Sequence, residues 1–281
     1  MQVFRTSDSL QEFLASLKKS KKIGFVPTMG ALHQGHLSLV KQGLEENNIV
    51  VVSVFVNPTQ FDNATDLKKY PRMLEQDIAL LKTLSGEVVV FSPEASDLYA
   101  GTIVSTHYKF GSLANEMEGK HRKGHFDGVG TVLNLLFRAV RPDVAYFGKK
   151  DFQQLQIVKR LVALENLPLT IKGCEIVREP NGVAMSSRNK RLSKIQLEEA
   201  IIISESLKEA RRDFSSKSIA TINKIVAQRF AENPHLELEY FEIANEKDLK
   251  TAVRKRKDVQ YRGFIAAFIG GVRLIDNMSL N

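Results

Sequence analysis

Two histidines three residues apart, His33 and His36, stand in the stretch Pro27-Thr28-Met29-Gly30-Ala31-Leu32-His33-Gln34-Gly35-His36, directly after the apolar run Ile23 to Val26. The run reads as a buried strand, Gly30 permits a sharp turn, and His36-Leu37-Ser38-Leu39-Val40 begins an apolar period of helical type. A helix start carries unpaired N–H groups that attract anions. Imidazoles at i and i+3 on its first turn face the same way, so the expected chemistry is phosphate binding. A zinc site that adds His121 and His125 is the weaker alternative, because their Gly-rich context lacks the helical i, i+4 metal-binding frame and no cysteine assists them.

Three more segments carry groups suited to an anionic substrate. Asn57-Pro58-Thr59-Gln60 follows the apolar stretch Ile49 to Val56, and Gln60 offers a neutral amide that can bind hydroxyls or a carboxylate without adding charge. Gly148-Lys149-Lys150-Asp151 follows Val144 to Phe147: Gly148 allows close backbone approach, Lys150 supplies a flexible cation, and Asp151 could hold ribose hydroxyls. Gln154, four residues beyond Lys150, lies one helical turn further on the same face. Met185-Ser186-Ser187-Arg188 combines two hydroxyls with a guanidinium, a set that can wrap β and γ phosphates. Asn181-Gly182 upstream marks a turn that could hinge the segment.

The elements that must position these residues alternate. Helical patterns at Ser9 to Leu17, His36 to Leu44, Leu74 to Leu84, Val129 to Val140 and Phe152 to Leu164 are interleaved with strand patterns at Ile23 to Val26, Ile49 to Val56, Val88 to Phe91, Val144 to Phe147 and Leu169 to Ile176. This order predicts an α/β fold, a Rossmann-like doubly wound parallel sheet, whose ligands bind beyond the carboxyl ends of the strands. Strands such as Val50-Val51-Val52 have no polar face, as a sheet covered on both sides requires. After residue 176 the pattern changes to helices at Lys194 to Arg211 and Ile219 to Phe230, a strand at Leu236 to Ile243, and a hairpin about Gly270-Gly271. The expected organisation is a nucleotide-binding domain over 1–176 and a smaller α+β domain over 177–281 that closes over the site.

With 281 residues, 43% of them hydrophobic and 26% charged, the chain can bury one large core or two smaller ones. No apolar run approaches the ~18 to 20 residues of a membrane span, and no export signal is visible, so a cytoplasmic protein is expected. Cys174 is the sole cysteine, which excludes an intrachain disulfide and a multi-cysteine metal cluster. The net charge of +8 suits an anionic ligand. The basic runs Lys18-Lys19-Ser20-Lys21-Lys22 and Arg254-Lys255-Arg256-Lys257 lack interleaved aromatics, so they read as solvated faces and no nucleic-acid partner is expected.

The stretch from Pro27 to His36, together with Val54-Phe55-Val56-Asn57-Pro58-Thr59-Gln60-Phe61, Gly124-His125-Phe126-Asp127-Gly128-Val129 with Phe147-Gly148-Lys149-Lys150-Asp151-Phe152-Gln153-Gln154, and Met185-Ser186-Ser187-Arg188-Asn189, resembles the pantothenate synthetase (pantoate–β-alanine ligase) family. That family belongs to the nucleotidyltransferases that share His-x-Gly-His with class I aminoacyl-tRNA synthetases. The resemblance implies ATP-dependent joining of pantoate to β-alanine through a pantoyl-adenylate, with AMP and pyrophosphate released. It implies catalytic roles for His36, His33 and Lys150, with His36 the proton donor. It assigns ATP to Met29, Gly30, His33, Gly35, His36, Gly148, Lys149, Lys150, Asp151, Val177, Met185, Ser186, Ser187 and Arg188, and pantoate and β-alanine to Gln60 and Gln154. Met185 to Arg188 takes the place of a mobile Lys-Met-Ser-Lys-Ser loop, and Val177 would meet adenine through its backbone. A homodimer and Mg²⁺ are further implications, with Asp77 the candidate metal ligand. The chain departs from the family at Lys123, where proline is usual, and at Asn63-Ala64-Thr65, which is less acidic than usual; both positions are expected in loops.

Overall fold

The computed structural model describes residues 1–17, 20–61 and 64–281; Lys18, Lys19 and Asn63 of the segments above lie outside them. In chain order the elements are β1 (Gln2–Phe4), α1 (Ser7–Ser16), β2 (Ile23–Thr28), α2 (Gln34–Glu46), β3 (Ile49–Val54), α3 (Ala64–Lys69), α4 (Leu74–Leu81), β4 (Val88–Phe91), α5 (Ala95–Leu98) and α6 (Glu118–His121). There follow α7 (His125–Val140), β5 (Val144–Gly148), α8 (Phe152–Leu164), β6 (Thr170–Cys174), α9 (Lys194–Glu199), α10 (Ile201–Asp213), α11 (Ile219–Ala231), β7 (Leu236–Asn245), β8 (Tyr261–Ile269) and β9 (Val272–Ser279). Among the described residues the strands form a parallel sheet in the order β1-β4-β3-β2-β5-β6 and an antiparallel sheet β7-β8-β9. The expected α/β class with a smaller α+β part is what the chain adopts.

Adjacent strand residues point to opposite faces, and β2 shows both faces covered. Phe25 meets Phe137 of α7 edge-on at 6.1 Å, while Val26 joins Leu39 and Val40 of α2 in a cluster with Val50, Val52, Val88 and Val90. This double coverage explains why Val50, Val51 and Val52 are all fully buried. Progression runs β2-β3-β4 to one side and β5-β6 to the other, so strand order reverses between β2 and β5. Sheets of this kind bind ligands at such a reversal, beyond the carboxyl ends. Here those ends are Thr28 and Gly148.

The chain divides into two compact units. The first comprises Met1–Phe110, His121–Lys149 and Gln154–Glu175; the second comprises Gly111–Lys120, Lys150–Gln153 and Ile176–Asn281. Residues 111–120 and 150–153, which the sequence places with the first domain, thus group with the C-terminal part. Hydrogen bonds inside the second unit give the reason. Gln153 Nε2 donates to the carbonyls of Leu113 and Glu116, both at 2.8 Å, and Gln153 Oε1 accepts from Glu118 N at 3.1 Å. Arg273 of β9 holds Glu118 through both guanidinium Nη atoms at 2.8 and 2.7 Å.

Other departures from the sequence reading are local. The short strand β1 pairs with β4 and has no counterpart in the sequence pattern. The helix expected over Lys194 to Arg211 is interrupted at Ala200, whose N–H reaches both Gln196 and Glu198 carbonyls as the turn tightens. Helix α7 starts at His125, four residues earlier than its apolar period suggests, because Gly124 takes a left-handed conformation (φ 76°) that lets the chain enter the helix there. Thr65 lies in α3 and not in a loop. Lys255 is not simply solvated: its ammonium donates to the Phe214 and Lys217 carbonyls just beyond α10 and lies 4.7 Å from the centre of the Phe214 ring. Carbonyls left over at a helix end are natural partners for a cation. No helix of the described residues is long and apolar enough to cross a membrane.

Candidate active site

In the first unit the site begins where β2 ends. Thr28 Oγ1 donates to Ser53 O at 2.7 Å and accepts from Gly30 N at 3.0 Å, so the turn is tied to β3 as it leaves the sheet. Gly30 has φ +79°, and a Cβ there would come within 2.9 Å of both Asp77 Oδ2 and Val54 Cγ1. Conformation and space both demand glycine. Asp77, 2% exposed on α4, accepts the next two backbone N–H groups, Ala31 at 3.0 Å on Oδ2 and Leu32 at 2.7 Å on Oδ1. Ala31 also has a positive φ, 51°, so the carboxylate stabilises a turn that is strained in a non-glycine residue.

The two histidines cap the helix that follows. His33 is the N-cap of α2; its Nδ1 accepts Gly35 N at 3.1 Å, and His36 Nδ1 accepts His33 N at 3.3 Å. This is a capping box built from imidazoles in place of the usual hydroxyl and carboxylate. Accepting through Nδ1 places the proton of each neutral ring on Nε2. The rings lie 4.1 Å apart between centroids. Two N–H donors are therefore held at the positive end of a 13-residue helix.

Gln60 is fixed in part by residues to which the sequence reading assigned no role, Asn57, Tyr99, Arg122 and Gly128 among them. Asn57, buried, donates through Nδ2 to Gln60 Oε1 at 3.1 Å and to Gly128 O at 3.2 Å. Gln60 Nε2 in turn faces Met29 Sδ at 3.3 Å, which joins the Gln60 loop to the histidine turn. Asn57 Oδ1 accepts from the Tyr99 hydroxyl at 2.5 Å; burial raises the Tyr99 pKa and keeps that donor protonated. The backbone is held as well. Arg122 Nη1 lies 3.1 Å from His125 Nε2; since arginine only donates, His125 carries its proton on Nδ1 and gives it to Gln60 O at 2.8 Å. Gly128 permits the close packing of α7 here, for a Cβ would lie 2.2 Å from Thr59 O and 2.8 Å from Gln60 Cα. Asn57, His125 and Gly128 were all present in the quoted motifs, but only folding shows that they converge on one glutamine.

At the end of β5, Lys149 pairs with Glu175. In the second unit, Lys150 Nζ lies 3.4 Å from Asp151 Oδ2, and its backbone carbonyl accepts Asn277 Nδ2 at 2.7 Å. Gln154 is half-buried in the first turn of α8 and belongs to the first unit. The 177–185 segment is a small hairpin: Met185 N donates to Val177 O at 3.0 Å, Glu179 N to Val183 O at 2.8 Å, and Gly182 turns with φ +97°. Ser186 then caps the short 3-10 turn Ser187–Arg191, its Oγ accepting Arg188 N at 3.3 Å. Asn189 Nδ2 secures that turn to Ala184 O at 3.1 Å and to Glu179 Oε1 at 3.2 Å.

A family model described as pantoate-beta-alanine ligase matches residues 2–279. The chain belongs to the pantoate–β-alanine ligase family. Its relatives include the pantothenate synthetase of Christiangramia forsetii, 51% identical with all of both chains aligned, and that of Flavobacterium psychrophilum, 49% identical with the same coverage. Among solved structures, pantothenate synthetase from Thermus thermophilus superposes with a TM-score of 0.91 at 36% identity, covering 100% of this chain and 99% of that one. Pantoate-beta-alanine ligase from Francisella tularensis, solved with beta-gamma ATP and beta-alanine, gives 0.82 at 38% identity over 100% and 98%.

For a ligase of this family the first unit thus links Gln60 to Met29, and His33 to Gly35 and His36, by direct hydrogen bonds, with Gly30 in the turn between the two groups. Asp77 stands apart from the role the resemblance suggested. Both of its oxygens are committed to backbone N–H groups in a buried position, which does not fit a metal ligand and does fit a brace for the histidine turn. Among the described residues no three His, Cys, Asp or Glu side chains are gathered in a way that could hold a metal ion.

Proposed function

We propose that the ligase joins pantoate to β-alanine through a pantoyl-adenylate, consuming ATP and releasing AMP and pyrophosphate. A carboxylate is a poor acyl donor because oxide would have to leave. A carboxylate oxygen of pantoate instead attacks the α-phosphorus of ATP; that P–O bond forms, the bond to the oxygen bridging the β-phosphate breaks, and pyrophosphate departs. The β-alanine amine then attacks the acyl carbon, AMP leaves with the oxygen that came from pantoate, and the nitrogen loses a proton. Negative charge grows on phosphate oxygens in the first step, so donors fixed in advance contribute most.

The observation that carries this reading is the paired capping of His33 and His36 through Nδ1, which presents Nε2–H donors at a helix start. His36 is assigned to the phosphate whose charge develops, with His33 beside it. Lys150, Ser186, Ser187 and Arg188 act on the same triphosphate. Met29, Gly30, Gly35, Gly148, Lys149, Asp151, Val177 and Met185 complete ATP binding, and Gln60 with Gln154 takes pantoate and then β-alanine. The second domain is proposed to close over the bound substrates, and the ligase to work as a homodimer in the cytosol, as the family resemblance implies. Mg²⁺ is proposed to arrive on the phosphates of ATP, and it offsets their charge when bound. The Francisella relative was solved with beta-gamma ATP and beta-alanine, which supports both ligands.

Exchange of labelled pyrophosphate into ATP, measured without β-alanine, tests the intermediate. Exchange that requires pantoate is expected. Exchange that requires β-alanine, or that ignores pantoate, contradicts an adenylate.

A further inference from the structure

Two consecutive residues of β9, Asp276 and Asn277, are 3% and 2% exposed and face opposite ways along an edge strand. Asp276 takes the Arg178 guanidinium in a two-pronged ion pair, Nη1 to Oδ2 at 2.6 Å and Nη2 to Oδ1 at 3.0 Å. Arg178 Nη1 also donates to Gly182 O at 3.0 Å, so this pair fixes the hairpin that delivers Ser186, Ser187 and Arg188. Asp276 and Ser186 line one small cavity together with Val183 and Ala184. Asn277 donates through Nδ2 to Lys150 O at 2.7 Å, and its Oδ1 accepts Arg262 Nη1 at 2.7 Å. Arg262 is itself held by Glu246 at 2.9 Å and stacks over Phe152 at 4.1 Å, two residues beyond Lys150. The two side chains are joined as well, since Asn277 N donates to Asp276 Oδ1 at 2.8 Å.

We propose that Asp276 and Asn277 are positioning residues that hold Lys150 and the 177–185 hairpin, with the Ser186 to Arg188 stretch that follows it, in register with one another for the triphosphate. The proposal rests on the assignment of Lys150 and Arg188 to that group. Neither side chain is placed on substrate. Their effect is transmitted through the Lys150 backbone and through Arg178, and it belongs to the first half-reaction, from which pyrophosphate leaves. A buried polar link of this kind is expensive to break on one side, because each partner keeps an unpaired group.

Asn277→Asp is the discriminating variant. It keeps the acceptor for Arg262 and the side-chain volume but replaces the donor to Lys150 O with an oxygen. Pantoate-dependent pyrophosphate exchange should show KM for ATP raised and rate lowered, together on the order of 10- to 100-fold. KM for pantoate, and the conversion of supplied pantoyl-adenylate and β-alanine to product, should stay within about twofold of wild type. Asp276→Asn should show the same split. The double variant Lys150→Ala/Asn277→Asp should be no slower than Lys150→Ala alone. Equal loss in both half-reactions, or no loss in either, overturns the proposal. If Lys150→Ala and Arg188→Ala slow the first half-reaction while Asn277→Asp does not, the proposal alone fails. If Lys150→Ala and Arg188→Ala also leave it unchanged, the assignment of the triphosphate site fails and the proposal falls with it.

Discussion

Asp77 accepts the backbone N–H of Leu32 at 2.7 Å, across 45 positions of sequence, and so joins α4 to the turn that carries the histidines. Removing the carboxylate in Asp77→Ala leaves two buried N–H groups without it, at a cost of about 2 to 4 kcal/mol. Urea unfolding should show that loss, and single-turnover adenylation should slow because His33 and His36 shift with the turn. Asp77→Asn, which keeps one acceptor, should fall between. Loss of activity with full stability, restored by added magnesium, would return Asp77 to the role of metal ligand.

His36 joins a structural task to the chemical one proposed for it, and substitutions can part them. Asn at this position can still accept His33 N through Oδ1, as Nδ1 does now, but its amide donor stands at the near edge of the ring and does not reach the place of Nε2–H. His36→Asn should therefore unfold within about 0.5 kcal/mol of wild type, while His36→Ala also loses about 1 kcal/mol of capping. Both should slow adenylate formation by about 10²- to 10³-fold. Unchanged single-turnover adenylation in His36→Asn would remove the Nε2 donor from the reaction.

Gly128→Ala tests how closely α7 must approach the Gln60 loop. The new Cβ would fall 2.2 Å from Thr59 O, a backbone atom that cannot swing aside. Overpacking of this sort costs about 1 to 3 kcal/mol. Since Gln60 sits on the displaced backbone, KM for pantoate should rise more than KM for ATP. A variant with normal KM for pantoate would show that Gln60 placement does not depend on this contact.

These residues mark the limit of what the sequence made legible. The sheet was readable because Val50 to Val52 and Val88 to Phe91 are apolar on both faces, and the hairpin because Gly270 and Gly271 both take positive φ, 54° and 72°. The helix start at His33 and His36 was readable from Gly30 and from the apolar period that follows. What stayed hidden was non-local. Nothing near Asp77 in sequence shows that it braces a turn 45 residues away, and an aspartate on an amphipathic helix looks solvated. Asn277 bonds Lys150 from 127 positions away. Lys255 sat within a charge run, which reads as surface until the carbonyls beyond α10 are found beneath it.

Stability should fall in alkali, and Cys174 and Tyr146 are two of the buried groups that contribute to the slope. Burial pushes the Cys174 thiol from 9.0 to about 11, and the Tyr146 hydroxyl from 10.0 to about 12. Both groups bind a proton more tightly folded than unfolded, so their contribution is intact below pH 9 and is lost as pH rises, between 9 and 11 for Cys174 and between 10 and 12 for Tyr146. The thiol's share is about 2 kcal/mol. Urea midpoints at pH 8 and pH 10.5 should differ less in Cys174→Ala than in wild type; equal differences would mean that the thiol does not contribute.

The fate of the pantoate oxygen is the most direct test of the central claim that the acid is activated on the α-phosphate. Pantoate carrying ¹⁸O in both carboxylate positions is turned over with ATP and β-alanine, and the products are weighed by mass spectrometry. One ¹⁸O in AMP and one in the amide carbonyl of pantothenate is the predicted result. Label in pyrophosphate or inorganic phosphate, with none in AMP, would contradict it.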